Sequence, residues 1–190
     1  MIGTSSGKRV HLLADLVGEN GSVYIFEPSP ENFEAVRRAA ESHENVSVDN
    51  RGAWYESAEK TMRLSAKTRG GHRVSDAETA PMPHDQYHDE HTIQVEPIDF
   101  LLDEYGVSPD YLEIAAAGTE LEILRGARET LAGELRLFVK AWGVVLDSHE
   151  DHATEIESLL RDSGFQISTA RVRSGIDSAG VPDGDIFAWK

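Results

Sequence analysis

The sequence contains no cysteine, only five lysines and no long apolar run. Without cysteine the chain can form neither disulfides nor thiolate metal sites. No stretch approaches the roughly 18 consecutive apolar residues of a membrane span, and no signal-peptide pattern opens the chain. Membrane insertion is therefore not expected, and the reading is a soluble, cytoplasmic protein. Positive charge is scarce: 18 lysines and arginines face 34 acids, for a formal net charge of -16. Such a surface repels nucleic acid and anionic lipid, so neither is expected as a partner. An acid-rich, lysine-poor composition suits a halophilic protein, whose carboxylates stay hydrated while salt screens their repulsion. At 190 residues one core suffices, and residues 1–190 read as a single domain.

What is present is organised around Gly21 to Phe33, GSVYIFEPSPENF. Val23, Tyr24, Ile25 and Phe26 form a β-prone run with a turn on either side, the pattern of a buried parallel strand. Glu27 stands at its carboxyl end, where open α/β sheets bind ligands. Pro28-Ser29-Pro30 then leads into a helix, which Ser29 or the residue beside it can cap, with Pro30 near its first turn. Upstream, Gly3 and Gly7 bracket small residues, and Val10, Leu12, Leu13, Leu16 and Val17 recur at helical spacing. This predicts a glycine turn opening a helix, whose free N–H groups can hold an anion or carboxylate. Gly7 precedes Glu27 by 20 residues, roughly the interval between a glycine-rich turn and a ribose-binding acid. Only Met1 and Ile2 precede Gly3, where a buried strand is expected.

Further along, Asn45 to Val48 reads as a short strand followed by the polar turn Asp49-Asn50-Arg51-Gly52. Trp54 to Ser65 alternates loosely, as a peripheral strand or hairpin would. Residues 66–91 show no periodicity and read as a long surface loop or lid. Within them His84, His88 and His91 would share one face of a helix. Pro81 and Pro83 precede them and no apolar stripe anchors such a helix, so they read as a solvated loop. His149 and His152 read the same way, and no metal site is assigned. Thr92 to Val95 is a strand, Ile98 to Tyr105 a helix ending at Gly106, and Asp110 to Ala117 an inner strand. Gly118 opens a helix with Leu121, Ile123, Leu124 and Ala127 inward. Leu135 to Val139 is a further inner strand. A helix through Ile156, Leu159 and Leu160 stops near Gly164, before strands Phe165 to Val172 and Asp185 to Trp189. Strands alternating with helices, then two adjacent strands, indicate an α/β fold: a mostly parallel sheet closed by an antiparallel hairpin.

Two stretches carry a family resemblance: LVGENGSVYIFEPSPENF, Leu16 to Phe33, and GTELEILRGARETL, Gly118 to Leu131. They are similar to LVGPxGxVxAFEPxPxNF and EGAELEVLKGAxETL of the FkbM-type S-adenosylmethionine-dependent methyltransferases. The resemblance implies a Rossmann-like class I methyltransferase fold with helices on both faces, its first strand missing or vestigial. It implies S-adenosylmethionine as cofactor, with Gly3, Thr4 and Gly7 around its methionine part. It also implies that Glu27 binds the ribose hydroxyls and that Asp49 or Asn50 lies near the adenine. One carboxylate with two oxygens is a good match for two vicinal hydroxyls. The implied activity is methylation of an oxygen on a small molecule or glycan.

Two departures stand out. The family aspartate of D-V-G-A-N-I-G falls on Met1, and the strand before Gly3 is reduced to Met1 and Ile2. An upstream start, a two-residue stub or another segment filling the gap would each answer this. The family's D-x-E-G becomes Ala115-Ala116-Ala117-Gly118, which removes two carboxylates. Glu120, Lys140 and Trp142 are the remaining candidates on the acceptor side. A non-catalytic, cofactor-binding or structural descendant is the alternative that these alanines favour. A nicotinamide-dependent oxidoreductase is excluded by the lack of a strand followed by G-x-G-x-x-G.

Overall fold

The computed structural model describes residues 1–5, 7–66, 69–74, 87–141, 149–172 and 183–190. The elements run α1 (Lys8–Val17), β1 (Val23–Phe26), α2 (Pro30–Ala40), β2 (Val46–Asp49), β3 (Gly52–Ala53), β4 (Ala58–Ser65), β5 (Arg73–Val74) and β6 (Tyr87–Glu96). They continue with α3 (Ile98–Tyr105), β7 (Tyr111–Ile114), α4 (Glu120–Arg125), α5 (Arg128–Ala132), β8 (Arg136–Ala141), α6 (His149–Asp162), β9 (Gln166–Val172) and β10 (Asp183–Trp189).

The main sheet has the order β2-β1-Ile2-β7-β8-β10-β9, with β1 parallel to β2 and β7 parallel to β8. β10 runs antiparallel to both β8 and β9. Ile2 holds the strand position between β1 and β7. Ile2 bridges in parallel to Phe26 on one side and to Ile114 on the other. Its N–H donates to the Glu113 carbonyl at 2.7 Å, and its own carbonyl accepts from the Ala115 N–H at 2.9 Å. Toward β1, the Gly3 N–H donates to the Phe26 carbonyl at 2.9 Å and the Phe26 N–H to the Met1 carbonyl at 3.0 Å. Met1, Ile2 and Gly3 thus supply ladder partners to β1 and β7.

Alternation along β1 divides the core. Val23 and Ile25 meet Val10 of α1 and Val36 and Ala40 of α2 on one face. On the other face Phe26 joins Ile2, Leu112, Ile114, Leu137, Val139 and Ile186 beneath α3, α4, α5 and α6. The sheet is thus covered by helices on both faces, as a near-continuous apolar strand requires.

A second sheet, β3-β6-β4-β5, has its own small core of Trp54, Met62, Leu64, Val74, Ile93 and Val95. It corrects the reading of residues 66–91 as one long loop: Arg73–Val74 is a strand, and β6 begins at Tyr87. The outer half of β6 is mostly exposed and polar, so apolar alternation appears only at Ile93 and Val95. His88 and His91 lie on this strand rather than on a helix, with His88 at an irregularity where the pairing passes from Asp89 to Tyr87. His84 lies outside the described residues. Among the described residues no group of three or more metal-ligating side chains comes together.

Candidate functional site

The carboxyl ends of β1, the Ile2 stub and β7 converge on a cavity of about 240 Å³, roofed by the second sheet. Its polar lining includes Thr4, Arg9, Glu27, Asn32, His72, Thr119 and Lys140, and Met62, Ile93 and Val95 form much of its apolar wall.

Glu27 is 4% exposed. One carboxylate oxygen accepts the Thr4 N–H at 2.7 Å and the other the Ser29 N–H at 3.0 Å. Burial pushes its pKa up to about 7, against the opposing hydrogen bonds from Thr4, Ser29 and the Asn32 side chain. A carboxylate offers about four acceptor positions, so these contacts do not exhaust it. Sequence reasoning passed over Asn32, although it is the asparagine of the quoted E-P-S-P-E-N-F stretch.

Gly3 and Gly7 turn out to serve different ends. Gly3 has φ +76° and lies so close to β7 that a Cβ would come within 2.4 Å of the Ala115 carbonyl oxygen. Its lack of a side chain allows the stub to cross into the cavity wall. Gly7 does not line the cavity; a Cβ there would meet Ala39 at 2.6 Å and the Ala35 carbonyl at 2.8 Å. It serves the close packing of α1 on α2.

Asp49 and Asn50 also lie outside the cavity lining. The Asn50 side-chain amide donates to the Glu27 carbonyl at 2.9 Å, which holds the backbone that carries Glu27. Arg51 donates to Asp49 at 2.7 Å and Tyr105 does so at 3.0 Å. Burial alone would raise the Asp49 carboxyl, but these bonds hold it below the ordinary range.

Glu120 lies away from the cavity. It is fully buried and absent from the lining, and its carboxylate accepts the N–H groups of Ala116 at 3.1 Å and Gly118 at 3.0 Å. Burial, with a smaller push from Glu122, raises its pKa to about 7. It caps the turn at the end of β7. Lys140 of β8 does line the cavity, whereas Trp142 lies outside the described residues.

Sequence reasoning missed three further polar residues near the cavity. Arg9 pairs with buried Glu113 through two guanidinium bonds, one of them 2.7 Å long. Arg73, buried beside the turn, donates to the Ala117 carbonyl at 3.1 Å. His72, also buried, accepts the Ser65 N–H on Nδ1 at 3.0 Å. No signal in the aperiodic stretch 69–73 identifies His72 or Arg73.

The methyltransferase FkbM domain model matches residues 2–167. The chain belongs to the FkbM methyltransferase family. The cofactor of this family is S-adenosylmethionine. Among solved structures, a methyltransferase FkbM from Methylobacillus flagellatus matches with a TM-score of 0.57 at 18% identity. The alignment covers 97% of this chain but only 42% of that one. A precorrin-6y C5,15-methyltransferase from Geobacter metallireducens follows at TM-score 0.53 and 18% identity, covering 100% of this chain and 77% of that one. A putative rRNA-methylase from Clostridium thermocellum gives 0.55 at 13% identity, over 99% and 86% of the two chains. At such identities these likenesses speak for the fold alone. No curated protein matches the sequence.

The residues fit the family cofactor. A nucleoside needs an acceptor for vicinal hydroxyls beside an apolar wall, and the cavity offers buried Glu27 next to Ala53, Ile93 and Val95.

Proposed function

We propose that this protein transfers a methyl group from S-adenosylmethionine to an oxygen of a small molecule, with a glycan hydroxyl among the candidate acceptors. The observation that carries the reading is Glu27, buried yet turned to a cavity, with acceptor capacity left after its backbone bonds. Glu27 would accept the ribose hydroxyls. Gly3, Thr4 and the first turn of α1 would hold the amino-acid end, with Gly7 setting the seat of that helix. Asn50 would fix the Glu27 backbone, and Asp49 with Arg51 would border the base. When bound, the cofactor supplies an electrophilic methyl group for in-line displacement by a nucleophilic oxygen. The chain's own part is to orient that oxygen and keep water away from it.

The experiment is calorimetry with S-adenosylmethionine at molar salt, followed by transfer assays with methyl-labelled cofactor. Absence of binding would remove the cofactor assignment for this chain. A second reading, a cofactor-binding protein without catalysis, is favoured by Ala115 and Ala117, which put no carboxylate at the end of β7. Binding without transfer to any acceptor, unchanged when Asp and Glu replace Ala115 and Ala117, would select that reading. High-salt adaptation predicts that the melting temperature rises steadily as potassium chloride is added.

A further inference from the structure

α1 and α2 cover one face of the main sheet at β1 and β2, where Val23, Ile25, Val46 and Val48 meet them. Further across, Leu112 of β7, Leu137 of β8 and Ile186 of β10 point to the opposite face, beneath α3 to α6. By alternation Tyr111 and Glu113, Arg136 and Phe138, and Phe187 and Trp189 stand on the α1 face. The ladders set them in two rows, Tyr111-Arg136-Trp189 and Glu113-Phe138-Phe187, and the two phenylalanine rings pack 4.9 Å apart. Strands inside such a sheet are ordinarily covered on both faces, yet Tyr111, Phe187 and Trp189 are exposed.

α1 carries a second apolar side. Its Val10 and Ala14 are buried, and Val10 packs with α2 and β1. From the adjoining flank, Arg9 reaches across the stub to Glu113 of β7. Leu12 and Leu16 follow Arg9 by three and seven residues, so they share that flank, and both are exposed. The flank and the sheet rows therefore adjoin at the Arg9–Glu113 pair. Leu12, Leu16, Tyr111, Phe187 and Trp189 are between 38% and 71% exposed. Together they leave on the order of 500 Å² of side-chain surface in water, the size of patch that marks an interaction site. With a polar rim, that area approaches the roughly 800 Å² that each partner contributes to a stable complex.

We propose that this patch is the interface of a homodimer in which α1 of each copy packs on β8 and β10 of the other. The two halves of the patch complement each other: one is an apolar helix flank, the other an aromatic sheet face that takes a helix. A two-fold axis lays the flank of each copy on the sheet face of its partner, so both halves are covered at once. Charge agrees with helix on sheet. Asp15 is exposed one turn beyond Leu12, and Arg136 is exposed between Tyr111 and Trp189. The patch is also where two chains of net charge -16 meet with least repulsion, because the acid in its two rows, Glu113, is paired with Arg9.

Sedimentation equilibrium of the full chain in about 1 M potassium chloride should give twice the monomer mass. Lowering the salt to about 0.1 M should weaken the dimer at least about tenfold, because the Debye length grows from about 3 Å to about 10 Å. Leu16→Glu and Phe187→Glu, both at exposed positions, should each give monomers with an unchanged far-ultraviolet circular dichroism spectrum. The chain has no cysteine, so Leu16→Cys and Phe187→Cys report the packing directly. An equimolar mixture of those two variants should oxidise to a mixed disulfide dimer, and either variant alone should cross-link little. This pair decides the matter even if a glutamate variant fails to fold. A wild-type chain that stays monomeric at about 100 μM in molar salt would overturn the proposal and leave the face to a different partner. So would a dimer that survives both glutamates, or cross-links that form within one cysteine variant and not between the two.

Discussion

Glu27 and Glu120 have nearly the same chemistry and opposite meanings. Each follows a central strand, is almost wholly buried, accepts two backbone N–H groups and has its pKa raised to about 7. Glu27 faces the cavity and Glu120 does not. A perturbed carboxylate is a functional candidate only where a ligand can reach it; otherwise it is a turn cap made costly by burial. The difference arises one residue at a time. Glu27 bonds forward to Ser29 and across to Thr4 on the neighbouring stub, whereas Glu120 bonds back into its own turn.

The largest effect that tests this likeness is on stability against pH. Both folded-state pKa values lie above the ordinary 4.5, so the folded protein keeps protons that the unfolded chain releases. Stability should fall as pH rises from about 4.5 to about 7, by about 3 kcal/mol for each residue. Chemical unfolding across that window should show the decline. Glu27→Gln and Glu120→Gln should each remove about half of it, and a flat profile in the wild type would contradict both assignments.

Cofactor affinity should break the likeness. Glu27→Ala should weaken S-adenosylmethionine binding about 100-fold by calorimetry, the value of two charge-assisted hydrogen bonds. Glu120→Ala should change it by no more than about twofold. Its cost should be to the fold, because the Ala116 and Gly118 N–H groups lose their acceptor. A loss of about 2 kcal/mol, or about 5 °C in melting temperature measured at pH 5, is expected. The smallest effect should come from Asn50→Ala, which frees the Glu27 backbone at a cost of about 1 kcal/mol, read as roughly fivefold weaker cofactor binding.

Much of this architecture is legible in the sequence where local chemistry and tertiary environment agree. The helix Ile98–Tyr105 ends at Gly106 as read, because that glycine takes φ +63°, which the turn needs and other residues avoid. The strand Val23–Phe26 is readable because it is buried between two helical layers. In the second sheet, β4 and the inner half of β6 were legible, and β5 and the outer half of β6 were obscured for the converse reason. β5 has two residues, too few for a period, and most of β6 faces water. Gly7 and Glu120 were assigned to the site because a sequence does not separate a glycine that admits a ligand from one that admits a helix. Nor does it separate an acid that binds from one that caps. His72 could not be found at all, since its place in the lining depends on tertiary packing and on a backbone N–H seven residues away.

The Ile2 stub also sets how the molecule comes apart. Among the described residues, β2 and β1 are joined to the other four strands of the main sheet through the backbone of Met1, Ile2 and Gly3. The backbone bonds made by Met1, Ile2 and Gly3 are therefore a seam, and opening it frees ladder groups on both sides at once. Exchange of the Phe26 and Ala115 amides, which donate into that seam, should be correlated and faster than exchange within β8. The seam joins residues 1, 26 and 115, so it is a long-range contact whose closure carries a loop-entropy cost.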